Sequence, residues 1–127
     1  MNYKTAPMSD VVAEIVRDGV IDREEVTALR ARIMDDGKVD RAEAEALFSI
    51  SDATNHTKND RIFRGLYADA IGAHVLEDGV ISDDETKWLT SKLGADGRID
   101  GNERALLAYL HDRAPQLPDA LQAMMRR

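Results

Sequence analysis

The chain has 127 residues, 24 acidic against 17 basic side chains, a formal net charge of −7 and no cysteine. That length suits one domain. The lack of thiols excludes a disulfide framework, a thiolate metal site and a cysteine nucleophile, and the acidic balance without a basic stripe disfavours nucleic acid as a partner.

Apolar residues recur at helical spacing almost throughout. Val11, Val12, Ile15 and Val16 predict a helix over 9–18, Val26, Leu29 and Ile33 one over 23–35, and Ala44, Leu47 and Phe48 one over 41–50. Ser51 to Asp60 is polar and reads as a connection between two halves. Phe63, Leu66, Tyr67, Ala70, Ile71 and Val75 then predict a helix over 61–77, Leu89 and Leu93 one over 83–93, and Leu106, Leu107 and Leu110 one over 101–113. Pro115 ends that helix, and Pro118 suits the first turn of a last one over 118–126. The stripe of Leu117, Leu121 and Met124 or Met125 there is expected to pack back on the body rather than enter a membrane. Between helices, Val20-Ile21, Val39, Val80-Ile81 and Ile99 could form at most tiny extended bridges. The expected fold is all-α: a single-domain bundle of about seven helices over residues 1–127. With no export signal in the first ten residues and no apolar stretch long enough to span a bilayer, a cytoplasmic protein without direct membrane insertion is expected.

One phrase punctuates these helices four times: Asp18-Gly19-Val20-Ile21-Asp22-Arg23-Glu24-Glu25, Asp36-Gly37 to Glu43, Asp78-Gly79 to Glu85, and Asp96-Gly97 to Glu103. The third copy follows the first, and the fourth the second, at a common offset of sixty positions. A shared offset implies an internal duplication, of about 9–50 onto 69–110, with 51–60 as the connection. Leu29 aligns with Leu89, Ile33 with Leu93, Leu47 with Leu107 and Ile50 with Leu110.

The phrase has a structural reading. Glycine after a helix closes its last turn in the left-handed conformation, and the Ile or Val two positions on points inward. Asp22, Asp40, Ser82 or Asp100 is then an N-cap, with Glu25, Glu43, Glu85 or Glu103 at capping-box spacing. It also has a chemical reading. With Asp-Gly at positions 5 and 6 of a calcium-binding loop, Asp or Ser falls at position 9 and Glu at position 12. Position 1 is then Glu14, Arg32, His74 or Lys92. A cationic side chain where a cation's ligand belongs makes the second and fourth copies poor sites. The candidate metal ligands are therefore Glu14, Asp18, Asp22 and Glu25 in the first copy, and His74, Asp78, Ser82 and Glu85 in the third. Hard oxygen ligands favour calcium, magnesium or manganese, with His74 leaving room for zinc.

The helical halves, the duplication and the recurring phrase resemble the TerB family of tellurite-resistance-associated proteins and TerB-like domains, over most of residues 9–112. The resemblance implies an all-helical fold, acids that bind divalent cations, here Asp18, Glu25, Asp36, Glu43, Asp78, Glu85, Asp96 and Glu103, and a link to stress responses. Tellurite resistance itself is not implied. No phosphate loop or nucleophile elbow occurs, so a non-enzymatic binding or scaffolding module with a protein partner is expected. The alternatives are a metal-free interaction domain whose turns are only caps and, behind it, a metal-dependent enzyme for which the acids would supply ligands. The sole tryptophan, Trp88, stands where the first half has Ala28 and either completes the core or anchors a partner.

Overall fold

Four of the helices start directly after the N-cap residues of the phrase, Asp22, Asp40, Ser82 and Asp100. The computed structural model describes residues 5–17, 19, 21–35, 38–54, 61–77, 79–93 and 99–126. Among the described residues seven helices occur and no strand: α1 (Met8–Val16), α2 (Arg23–Met34), α3 (Arg41–Ala53), α4 (Arg61–Val75), α5 (Asp83–Lys92), α6 (Gly101–Arg113) and α7 (Asp119–Met125). The fold is all-α, and none of these helices is long and apolar enough to cross a membrane.

Several helix ends differ from the sequence expectation: α1 covers 8–16 rather than 9–18, and α2, α5 and α7 each stop one residue short. Three further boundaries differ, at α3, α4 and the start of α7. Helix α3 continues through Ala53, so 51–53 belong to a helix rather than to the connection; residues 55–60 of that connection lie outside the described residues. Burial explains the extension: Ser51 is enclosed, and Thr54 closes the helix by giving both its amide (2.9 Å) and its hydroxyl (2.7 Å) to Ile50 O. Helix α4 ends at Val75, with Gly79 N returning to Leu76 O at 2.9 Å in the turn beyond. Pro118 is the N-cap of α7, at φ −56 and ψ 144, rather than part of its first turn.

Helix starts repeat at the phrase's own spacing. Helices α2 and α5 begin sixty positions apart, and α3 and α6 lie sixty apart at both ends. Packing follows the same correspondence: α1 lies on α3 as α4 lies on α6, while α4 covers α2 and α3 as α7 covers α5 and α6. Helix α4 thus closes the first half and opens the second. Residues at equivalent positions are buried together, including Val11 with Ile71, Ile15 with Val75, Leu29 with Leu89 and Leu47 with Leu107. A single apolar cluster takes in residues from all seven helices. Leu117, Leu121 and Met124 are its contribution from the C-terminal stripe, so α7 does pack back on the body.

The α4–α6 contact has one feature the α1–α3 contact lacks. A Cβ at Gly72 would fall well inside contact distance of Tyr109 Cδ1 and Cε1, so the ring lies directly on the α4 backbone. The equivalent first-half positions hold Val12 and Ser49, large and small exchanged.

Candidate functional site

All four junctions are closed by reciprocal capping boxes. Glu25 N donates to Asp22 Oδ1 at 2.8 Å while Asp22 N donates to Glu25 Oε1 at 3.0 Å. Asp40 with Glu43 and Asp100 with Glu103 repeat this geometry, and Ser82 with Glu85 does so at 3.1 and 3.4 Å. Each cap contributes about 1 kcal/mol. Gly19 and Gly79 adopt φ 74 and 87, the left-handed turn that a residue with a Cβ resists; Gly37 and Gly97 lie outside the described residues. The inward Ile or Val is buried at Ile21, Val39 and Ile99, whereas Ile81 is only half-buried. Beside it, Val80, Ile81 and Asp83 face Pro115, Gln116 and Pro118 across an open cavity of about 410 Å³.

The candidate metal ligands divide as follows. Asp22 with Glu25, and Ser82 with Glu85, are held in capping boxes. Glu14 takes Arg17 Nη2 at 2.5 Å at the C-terminal end of α1. Asp18 and Asp78 lie outside the described residues. Among the described residues no three His, Asp or Glu side chains converge in a way that could hold an ion. His74 is turned to the second junction: its Nδ1 donates to Val39 O at 2.9 Å, and its Nε2 accepts from Arg41 Nε at 3.1 Å. Accepting from Arg41 at Nε2 goes with the Nδ1–H tautomer, whose proton is directed at Val39 O. Arg32 donates to Ala6 O, and Lys92 reaches Glu45 across the halves at 3.9 Å.

His74 belongs to a cluster where α3, α4 and α5 meet. The half-buried Trp88 donates Nε1–H to Glu45 Oε1 at 3.2 Å. The Arg41 guanidinium lies over its ring, Cζ 4.1 Å from the centroid, and the rings of Phe48 and His74 each meet Trp88 edge-on at 5.5 Å. Tryptophan here both extends the core and carries a polar edge to the surface, as its amphipathic ring permits. Comparison with protein-family models, curated proteins and solved structures finds no match. The cluster is therefore read from its own chemistry: an aromatic platform, a cation and a carboxylate on one partly exposed face. Sequence reasoning singled out Trp88 and His74 but not Arg41 or Glu45. Their i, i+4 spacing on α3, which puts two side chains on one helix face, was the available signal.

A second polar group lies inside the molecule. Asn102, 1% exposed, donates to Ser51 Oγ at 3.1 Å and accepts from Arg64 Nε at 3.3 Å, linking α6, α3 and α4. Nearby, burial, and behind it the charges of Glu103, Asp100 and Asp52, push the Tyr67 phenol well above its ordinary value of 10.0. A raised native value means that unfolded chains lose this proton first. Stability from Tyr67 is intact below about pH 10 and falls as pH rises above it. Alkaline unfolding followed by circular dichroism is therefore expected to begin at lower pH in the wild type than in Tyr67→Phe. Superimposed alkaline curves would contradict the assignment.

Proposed function

We propose that this chain is a non-enzymatic binding or scaffolding module whose interaction face is the α3–α4–α5 surface around Trp88, and whose Asp-Gly junctions serve as helix caps. The observation that carries the reading is the grouping of Trp88, Arg41 and Glu45 on one partly exposed face. Tryptophan and arginine are the residue types that dominate interface energetics. Four complete capping boxes support the structural role of the turns. A TerB-like character is part of the proposal, resting on the fourfold phrase and the all-helical fold. Affinity capture with wild type, Trp88→Leu and the exposed control Glu24→Gln tests the face. A protein retained by wild type and control but lost by Trp88→Leu is expected; equal retention by all three counts against it.

A second reading, supported by the left-handed Gly19 and Gly79, places a calcium, magnesium or manganese ion at the first and third junctions. Glu25 Oε1 already accepts the Asp22 amide at 3.0 Å, so an ion gripped by both oxygens would share that oxygen with the cap. Since a ligand of the folded state raises its stability by mass action, the melting temperature should rise with millimolar metal over chelator. Glu25→Gln and Glu85→Gln should weaken that rise more than Glu43→Gln and Glu103→Gln. No rise with calcium, magnesium, manganese or zinc would leave the caps as the whole role of the phrase.

A further inference from the structure

The Trp88 face carries its own cover. Arg41 is exposed, at the first position of α3, where a long cationic side chain ordinarily samples many rotamers in water. Here two contacts hold it over the indole: the stack itself, at 4.1 Å, and the bond from Nε to His74 Nε2, at 3.1 Å. His74 can accept that bond because its other nitrogen is anchored on Val39 O. The imidazole is thereby oriented by the backbone of one half and orients the arginine in turn. Glu45 holds the indole from its nitrogen edge, and Lys92 of α5 lies 3.9 Å from the same carboxylate. The ring is thus held at its edge, while the face beneath Arg41 is covered by a side chain that can swing away.

We propose that His74 is the positioning residue of a removable cover, holding Arg41 over Trp88 so that the ring face is masked in the free chain and opens when Arg41 leaves. This regulates the face described above and rests on that reading for its consequence, though its test needs no partner. An occupant that displaces Arg41 must offer the guanidinium a carboxylate or comparable acceptor, and the indole an apolar or cationic group in exchange.

Trp88 is the sole tryptophan, so acrylamide quenching of its fluorescence reads the cover directly. Arg41→Ala defines the open state. His74→Phe keeps an aromatic edge but removes the acceptor, and should raise the open-to-closed ratio roughly fivefold, the net worth of one hydrogen bond. His74→Gln, which restores an acceptor, should return quenching towards wild type. The double variant Arg41→Ala/His74→Phe should quench no more than Arg41→Ala alone. Wild-type quenching in His74→Phe, or full addition of the two effects, overturns the proposal. If His74→Phe fails to fold, nitrogen-detected exchange of the Arg41 Nε–H in the unmodified chain decides: slowed exchange is expected, and exchange as fast as in free arginine refutes the cover. A partner captured through Trp88 with no cover found, or a cover found with no partner captured, separates failure of this proposal from failure of the binding reading.

Discussion

Replacing Leu66 by alanine is expected to cost about 2–5 kcal/mol, the range for a fully buried leucine that leaves a cavity, and to unfold both halves in one step. Leu66 is 0% exposed on α4, the helix that packs on α2, α3 and α6. A domain of this size has about 5–15 kcal/mol in total, so the loss is a large fraction of it. Urea unfolding followed by Trp88 fluorescence, which reports on the place where α5 meets α3 and α4, and by far-UV circular dichroism should give coincident transitions for wild type and variant. Because α4 is shared, a cavity there weakens the lid of the first half and the first layer of the second together. A variant in which Trp88 stays native while most of the helical signal melts would show that the bundle does not unfold as one unit and that α4 does not tie it together.

Gly72→Ala should destabilise by about 1–3 kcal/mol, the cost of overpacking a close contact, although alanine favours a helix over glycine by about 1 kcal/mol. The added methyl group would meet the Tyr109 ring, which is itself held by Arg113, Cζ 3.8 Å from the centroid. Gly72→Val should cost more. Restoring the first-half arrangement, Gly72→Val with Tyr109→Ser, should recover part of the loss, because positions 12 and 49 already hold that pair. Thermal unfolding of the two single variants and the double variant forms the cycle. Strictly additive losses would mean that the ring and the α4 backbone do not depend on each other.

The two expected results differ in how visible they were beforehand. Leu66 lies on a helical apolar stripe and could be placed in the core from its neighbours alone. Gly72 is an unremarkable glycine within a predicted helix, and nothing within four residues of it signals Tyr109. The same division runs through the candidate site. The caps were legible because a capping box is closed within four residues: Asp22 needs only Glu25, and Ser82 only Glu85. His74 was assigned to the third turn by counting loop positions. The rotation of α4 instead sends its ring to Val39, 35 residues earlier in the chain. Trp88 was conspicuous by type, yet its partner Glu45 lies 43 positions away. Ser51 read as part of a polar connection because its partner, Asn102, lies 51 positions downstream.

By itself the sequence determined the helices, their caps, the doubled order of elements and most of the buried apolar positions. These follow from interactions within a turn or two, where periodicity and capping chemistry act over a few residues. Tertiary structure alone decided that α4 serves both halves, that Tyr109 rests on Gly72, and that Arg41 and His74 close over Trp88. Each of those depends on how one helix is rotated and seated against another, a choice set by the whole core at once and written in no single stretch of the chain.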